Sequence, residues 1–251
     1  MLISILITLF AFRKHLTDFT LYQYRHLLES LLQQGYQFLT FEQYCEQKSS
    51  PPHLLTSSPH SPIASSPHHL IASSPKYILL RHDVDLKAAN SLATAQIEHE
   101  LGLQASYYFR VVPQSNQPDI IRAIADLGHE IGYHYEDMAI MQGNAEQAYQ
   151  HFQQQLSYFR QFYPVRTICM HGAPTSQWDG KALWKHYNYR DLGIIGEPYF
   201  DVDFSQLFYL TDTGRCWDGY KVSVRDKIPV YQDQWNAQGL VYHTTNDIIH
   251  A

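Results

Sequence analysis

Two aspartates stand two residues apart at the end of a short apolar run. Residues 77–80 are apolar, and His82, Asp83 and Asp85 follow them. Because side chains alternate along a strand, Asp83 and Asp85 are expected to face one way and His82 the other. Two carboxylates this close repel each other when both are ionised, and a divalent cation on one of them is the simplest compensation. The alternative is a solvated acidic turn that caps the following helix.

A second set of candidate ligands occurs in the segment 128–136, where another strand is expected. His134 and Glu136 share one face of that strand, and Gly132 allows a close backbone approach nearby. A neutral imidazole together with carboxylates is an ordinary ligand set for zinc or a similar ion. His129 lies at the start of the strand, and we expect a structural role for it.

His171 follows a third strand-like run, residues 165–170. In sheets of parallel strands, reactive groups gather at the carboxyl ends of the strands. A single histidine in a turn carries little information. Three separate strand ends that each offer aspartate or histidine are much harder to explain as coincidence, and they predict a metal site at that edge of the sheet.

A polar and aromatic loop follows a later strand-like run, residues 207–210. This loop contains Asp212, Arg215 and Trp217. An aromatic ring and hydrogen-bonding side chains in one loop suit the binding of a sugar. A structural turn with an internal pair between Asp212 and Arg215 is the alternative.

The rest of the chain alternates helix and strand signals. A helix is expected to begin after Thr20, which can cap it, and to end at Gly35. Further helices are expected over residues 86–101, from Pro118 onward, and over residues 144–162. Repeated strand-then-helix units imply parallel strands with crossover helices, and hence an α/β sheet or barrel.

Composition limits the class of protein. The 251 residues are 45% hydrophobic, 17% charged and 14% aromatic, which is typical of a packed globular chain. The 18 basic and 24 acidic residues give a net charge of −6, which argues against a general nucleic-acid binder. No apolar run approaches the roughly 18 residues of a membrane-spanning helix. Cys45, Cys169 and Cys216 show no paired spacing and indicate neither a disulfide framework nor a cysteine-based zinc site.

Two segments differ from the rest of the chain. Residues 1–15 are an apolar N-terminal segment that need not belong to the core. Arg13 and Lys14 follow its apolar stretch, whereas a secretory signal has basic residues before it, so we expect a cytoplasmic protein, with a secreted or membrane-associated one as the alternative. Residues 16–251 are expected to form a single domain. Residues 49–75 interrupt it with Ser-Ser-Pro repeated every eight residues, which predicts a disordered loop.

Two motifs together resemble those of the polysaccharide deacetylase superfamily, the NodB-homology carbohydrate esterases. Residues 82–85, His-Asp-Val-Asp, resemble the family's opening acidic motif, and residues 128–134 resemble its Gly-His-Glu-Ile-Gly-x-His segment. The chain is most similar to a branch of uncharacterised bacterial members that also carry a His-Gly turn and Thr-Asp-Thr-Gly-Arg. The resemblance covers about residues 16–245, apart from the insert.

The resemblance implies a fold and a set of roles. The fold is a distorted (β/α)7 barrel with a divalent metal ion, usually zinc, at its open face. In the family's pattern the first aspartate is the general base and the second is a metal ligand, and by position these are Asp83 and Asp85. The histidine that ends the second motif, His134, would be another ligand.

The third metal ligand departs from the family's pattern. Where the family has a second histidine, four residues after His134, this chain has Met138, and methionine is a poor ligand for zinc. His171 is the preferred replacement, and Glu136 is the alternative. The family's late Leu-x-His motif, which supplies the general acid, has a match that ends at His243.

The implied activity is hydrolysis of an N-acetyl group on an amino sugar or polysaccharide. A zinc ion lowers the pKa of bound water, a carboxylate takes the water's proton, and a histidine protonates the leaving amine. Two alternatives stay open: a non-catalytic sugar- or metal-binding protein on the same scaffold, and a metal hydrolase of a different amide or ester. Asp83 favours an enzyme, because metal binding alone does not require it.

Overall fold

The computed structural model describes residues 4–9, 18–49, 76–217 and 227–251, and for residues 4–9 it describes the backbone alone. The expected repeat loop, residues 49–75, lies outside the described residues apart from its first position. Most of the apolar N-terminal segment lies outside them too.

Seven strands of the described chain form one sheet, and every pairing between them is parallel. The strands are β1 (Ser4–Leu9), β2 (Tyr36–Leu39), β3 (Lys76–Val84), β4 (Ser106–Phe109), β5 (Glu130–Tyr135), β6 (Ile168–Met170) and β7 (Leu207–Thr211). Their order is β6-β5-β4-β3-β1-β7, and β2 pairs with the first half of β3. The expected parallel α/β sheet is confirmed. The described residues show no pairing between β6 and β7, so they do not show a closed barrel.

Helices follow most of the strands. They are α1 (Leu21–Gln33), α2 (Phe41–Ser49), α3 (Ala88–Glu100), α4 (Pro118–Asp126), α5 (Asp137–Ile140), α6 (Ala145–Phe159), α7 (Pro198–Asp201), α8 (Pro229–Ala237) and α9 (Thr245–Ile249). Two short 3-10 helices, Gly180–Lys185 and Tyr189–Leu192, lie between β6 and α7. None of the described helices is long and apolar enough to cross a membrane.

The first helix shows how local sequence determines an element. Thr20 Oγ1 accepts a hydrogen bond from the Gln23 N–H, which satisfies one of the free amides at the start of α1. Gly35 follows the helix with a φ of +84°, a conformation that favours glycine. The predicted start and end are therefore confirmed. Leu27 is buried in the core, whereas Leu21, the first residue of the helix, is exposed.

Local signals also determine where later helices begin. Pro118 is the first residue of α4, as its fixed φ favours. Asn144 caps α6, because its side-chain oxygen accepts a hydrogen bond from the Gln147 N–H at 3.1 Å. The third helix begins at Ala88, two residues later than expected, because residues 85–87 turn the chain away from the end of β3.

Close packing of β4 on β5 aligns the strand ends. Tyr108 pairs in register with Asp83 of β3 on one side and with Gly132 of β5 on the other. The Tyr108 ring fills the space that a Cβ at Gly132 would need, so any larger residue there would collide with it. Two residues later, His134 pairs with Cys169 of β6. The carboxyl ends of β3, β5 and β6 therefore meet at one edge of the sheet.

Candidate metal site

Three predicted ligands bring one atom each to a common point. His134 Nε2 lies 3.2 Å from His171 Nδ1 and 3.6 Å from Asp85 Oδ1, and His171 Nδ1 lies 3.1 Å from Asp85 Oδ1. Atoms bound at about 2.1 Å to one tetrahedral ion are about 3.4 Å from each other. The group, here called the Asp85 triangle, therefore has the size of one face of a tetrahedral metal site.

Each corner of the triangle comes from a different strand end. Asp85 follows β3, His134 lies in β5 and His171 follows β6. The His171 N–H donates to the Tyr135 carbonyl oxygen at 2.8 Å, which continues the β5–β6 pairing one step beyond the last residue of β6. This backbone contact holds His171 beside His134, so the triangle needs no unusual backbone to form.

The environment of His134 fixes its protonation state. The ring is buried, and Nδ1 lies 2.9 Å from the Cys169 carbonyl oxygen, which can only accept a hydrogen bond. Nδ1 therefore carries the proton, and the lone pair on Nε2 points into the triangle. Burial lowers the pKa of His134 well below its usual value, and His171 and Arg81 lower it further. A neutral imidazole oriented by a carbonyl is the form that binds metal ions.

One oxygen of Asp85 is left without a hydrogen bond. Asp85 Oδ1 is buried and accepts none from the described residues; although it lies 3.1 Å from His171 Nδ1, the two groups are not aligned for one. Buried polar atoms are nearly always paired, so an orphaned carboxylate oxygen indicates a missing positive partner. With two imidazole nitrogens beside it, the donor set suits zinc or a similar divalent ion.

The other predicted aspartate, Asp83, is held by a buried arginine. Asp83 Oδ2 accepts a hydrogen bond from Arg81 Nη2 at 3.1 Å and lies 3.9 Å from His134 Nε2. Arg81 also donates to the Tyr209 hydroxyl at 3.1 Å. A guanidinium at this distance favours the ionised carboxylate. Asp83 is thus an anion beside the triangle, at a position suited to accept a proton.

The alternative ligand, Glu136, has a different arrangement. Its Oε1 accepts a hydrogen bond from Arg110 Nε at 2.8 Å, and its Oε2 lies 4.0 Å from His171 Nε2. This is the nitrogen of His171 that does not belong to the triangle. Glu136 therefore lies next to the outer nitrogen of His171, at a distance longer than a hydrogen bond. Met138, at the position where the family's pattern has a histidine, is buried in α5.

Two residues of this centre were missed by the sequence analysis, Arg81 and Cys169. Cys169, Asp83 and His134 form a second group whose ligand atoms all lie within 4.8 Å of one another. Strand alternation could have indicated both residues, because Arg81 has the parity of Asp83, and Cys169 that of His171. Spacing along the chain gave no such signal, since the partners come from different strands.

A cavity of about 440 Å³ lies beside the triangle. Asp83 and Asp85 line it, and so do Asp212, Arg215 and Trp217. The three predicted sugar-binding residues and the two aspartates therefore share one space.

The loop that carries the predicted sugar-binding residues is also a turn. The Arg215 N–H donates to the Asp212 carbonyl oxygen at 2.8 Å, and Arg215 has a φ of +57°. Trp217 is buried: its Nε1 donates to Thr245 Oγ1 at 3.0 Å, and its ring centre lies 5.2 Å from that of Phe19. The expected turn is thus present, and the binding of a sugar by this loop stays a prediction.

The predicted general acid, His243, lies outside this group. Its backbone N–H donates to Asp247 Oδ2 at 2.9 Å at the start of α9, and the residue is exposed. It is not one of the described residues that line the cavity. The assignment of His243 as the acid stays a prediction.

A second buried group of titratable residues lies on the other face of β3. Glu98 of α3 is fully buried, its Oε1 lies 2.6 Å from His82 Nε2, and its Oε2 accepts a hydrogen bond from the Tyr107 hydroxyl at 2.7 Å. The Tyr24 hydroxyl also donates to Oε1. Burial by itself would raise the pKa of Glu98, but His82 and then His129 lower it below its usual value. We call these five residues the Glu98 cluster.

Within this cluster, His129 has the structural role expected for it. Its Nε2 lies 2.9 Å from the Ala95 carbonyl oxygen, and its Nδ1 accepts a hydrogen bond from the Ala105 N–H at 3.2 Å. Backbone groups thus occupy both ring nitrogens. Burial lowers the pKa of His129, and the neighbouring Glu98 opposes that shift.

Comparison with known proteins yields a structural likeness and no match by sequence. No family model matches the chain, and no curated protein matches it. The chain is similar to the solved structure of IcaB from Ammonifex degensii, with 13% identity and a TM-score of 0.46 over 73% of this chain and 79% of that chain. At this level the likeness carries no argument about function, which depends on the geometry of the site itself.

Proposed function

We propose that the protein is a metal-dependent hydrolase that removes N-acetyl groups from an amino sugar or polysaccharide. The observation that carries the proposal is the Asp85 triangle, with sides of 3.1, 3.2 and 3.6 Å and an orphaned carboxylate oxygen. The resemblance of the two motifs to polysaccharide deacetylases supports the choice of substrate. Closure of the sheet into the family's barrel is part of the same proposal.

Asp85, His134 and His171 hold the metal ion in this proposal, and zinc is the ion that their nitrogen and oxygen atoms suit best. When bound, such an ion lowers the pKa of a water molecule and polarises an amide carbonyl. Glu136 orients His171 through the ring nitrogen that faces away from the triangle. Glu136 remains the alternative third ligand.

Asp83 is the general base. It lies beside the triangle, is kept ionised by Arg81, and is almost fully buried, so it takes a proton from a water at the triangle and not from bulk solvent. Arg81 acts on the reaction only through Asp83, as a positioning residue. Its own position is fixed by Tyr209.

The cavity next to Asp83 and Asp85 receives the sugar. Trp217 offers an aromatic ring, and Asp212 and Arg215 offer hydrogen-bonding groups to its hydroxyls. His243 is proposed to protonate the leaving amine. His243 is exposed, unlike Asp83 and His134, which are buried.

The exposure of His243 favours one competing function, a non-catalytic protein that binds a sugar or metal at the same residues. A metal hydrolase of another amide or ester is the third candidate. The three functions differ in what the purified protein binds and releases, so one combined measurement separates them.

The test is metal analysis of the purified protein, followed by acetate release from a panel of N-acetylated and O-acetylated sugars. The proposal expects one divalent ion per chain and acetate from N-acetylated sugars only. Release from O-acetylated sugars alone would identify an esterase. A metal-loaded protein that binds these sugars and releases no acetate would support the binding function and overturn the proposal.

A further inference from the structure

Cys169 is buried inside the sheet next to the predicted base. It lies in β6, in register with His134 of β5, and its side chain has no exposed surface. Its sulfur lies within 4.8 Å of a carboxylate oxygen of Asp83 and of a ring nitrogen of His134. A carboxylate, an imidazole and a thiol at these separations can bind one ion, and the thiol makes this group softer than the Asp85 triangle.

The two groups share His134, which limits how they are used. Nδ1 of His134 is occupied by the Cys169 carbonyl oxygen, so Nε2 carries the only lone pair of the ring that can bind an ion. One lone pair binds one ion. The same histidine therefore serves either the triangle or the group of Asp83 and Cys169, and never both at once.

We propose that the centre has two mutually exclusive metal positions: an outer one at the Asp85 triangle, and an inner one formed by Asp83, His134 and Cys169 that takes divalent ions more thiophilic than zinc, such as Cd²⁺. When such an ion enters the inner position, a metal–sulfur bond forms and the thiol proton passes to the solvent buffer. The ion then holds His134, and the outer position loses a ligand.

Arg81 determines which ions use the inner position. Its guanidinium lies 3.1 Å from Asp83 Oδ2 and repels a second positive charge there. Ions that bind thiolates weakly, such as Mn²⁺ and Mg²⁺, gain too little from Cys169 to offset that repulsion. A thiophilic ion gains the metal–sulfur bond and is retained.

The consequence for activity rests on the proposed function. An ion at the inner position is bound to Asp83, so the general base is no longer available. Ions more thiophilic than zinc are therefore inhibitors that act from within the centre, whereas zinc at the outer position supports the reaction. The inner position is an ion-selective inhibitory site.

Ultraviolet absorption tests the inner position without any measurement of turnover. Metal-free protein receives one equivalent of Cd²⁺, and the thiolate-to-metal charge-transfer band is recorded. Wild-type protein is expected to show the band, and Cys169→Ser and Cys169→Ala to lack it. The matched controls Cys45→Ser and Cys216→Ser, which remove the other two thiols, should keep it.

A variant outside the cysteines separates the two metal positions without any change at Cys169. His171→Ala removes a corner of the outer position only, so its Cd²⁺ band should match that of wild type. In zinc-loaded wild-type protein, each equivalent of Cd²⁺ should release one equivalent of Zn²⁺, because both ions need His134.

Three results would overturn the inner position: no band in wild type, a band that survives in both Cys169 variants, or Zn²⁺ that stays bound while Cd²⁺ adds to it. These outcomes are distinct from failure of the proposed function. A normal band in a protein that releases acetate from no sugar would remove the deacetylase and leave the inner position standing.

Discussion

Two groups of histidines and carboxylates lie on opposite faces of β3, and they differ in how completely their polar atoms are paired. In the Glu98 cluster, both oxygens of Glu98 have partners among His82, Tyr24 and Tyr107. In the Asp85 triangle, one buried oxygen of Asp85 accepts no hydrogen bond from the described residues. A complete set of partners is typical of a structural group, and an incomplete set is typical of a site that awaits a ligand.

The two groups also differ in how they compensate the negative charge of their carboxylates. His82 and His129 lower the pKa of Glu98, so the cluster compensates its own buried anion. His134 cannot do the same for Asp85, since burial lowers the pKa of its ring and keeps it neutral. Histidines next to carboxylates are thus not enough to identify a metal site. What distinguishes the triangle is a buried carboxylate oxygen that lies beside two imidazole nitrogens and accepts no hydrogen bond from the described residues.

The largest expected effect separates the two aspartates. Asp83→Asn should lower kcat/KM for acetate release by about 10³-fold, because it removes the proton acceptor, and should retain the metal ion. Asp85→Asn should lose most of the metal ion itself. Metal content and acetate release, measured on the same samples, provide the test, with the exposed Asp119→Asn as the matched control. Equal metal loss in both variants would make Asp83 a ligand and not the base.

The next effect concerns the third corner of the triangle. His171→Ala should weaken zinc binding by about 100-fold or more, as severely as His134→Ala, because each removes one ligand. Glu136→Gln should weaken it by only about tenfold, since Glu136 acts through His171. Competition with a zinc chelator measures all three affinities, and the exposed His186→Ala is the control. A larger loss for Glu136→Gln than for His171→Ala would exchange their roles.

On the other face of β3, the expected loss is in stability and not in metal affinity. Glu98→Gln should lower the free energy of unfolding by about 2 kcal/mol, because the buried hydroxyls and His82 lose a charged acceptor. Its zinc affinity should match that of wild type. Urea unfolding of the metal-free protein, together with the chelator assay, provides both values. A drop in zinc affinity would show that the two groups are coupled through β3.

The pKa of Glu98 gives this stability effect a pH dependence. Its folded-state pKa lies below the usual value of 4.5, so the contribution of Glu98 to stability is fully present above pH 4.5 and is lost as the pH falls through the lower folded value. The difference between Glu98→Gln and wild type should therefore shrink in acid. A difference that grows as the pH falls would mean that Glu98 is protonated in the folded protein.

Local signals account for what the sequence predicted well. Thr20, Pro118 and Asn144 act on neighbouring amides, and the helices begin where these residues indicate. Strand alternation placed His82 and Asp83 on opposite faces of β3, and it brought Asp85, His134 and His171 to one edge of the sheet. These features depend on a few adjacent residues or on the period of a strand.

What the sequence did not predict depends on contacts between distant segments. Glu98 occupies an ordinary helical position, and its partners Tyr24 and His82 are 74 and 16 residues away in the chain. Cys169 joins Asp83 only because β3, β4, β5 and β6 pair in one register. Spacing along the chain contains neither relation. The metal-ligand roles of the triangle, and the role of His243, remain predictions of the sequence.

The smallest expected effect contrasts the two groups most directly, because its sign is opposite. Asp85→Asn removes a half-buried carboxylate whose buried Oδ1 accepts no hydrogen bond from the described residues, so the metal-free protein should become more stable by about 1 kcal/mol. Glu98→Gln removes a fully buried carboxylate whose two oxygens both have partners, and it should do the reverse. Urea unfolding in the presence of a chelator at pH 8, where unperturbed histidines are neutral, compares them. In saturating zinc, Asp85→Asn should instead be less stable than wild type, since only wild type gains the free energy of metal binding. If Asp85→Asn destabilises the metal-free protein as Glu98→Gln does, Asp85 already has its partners within the chain, and the triangle is a structural group like the cluster on the other face.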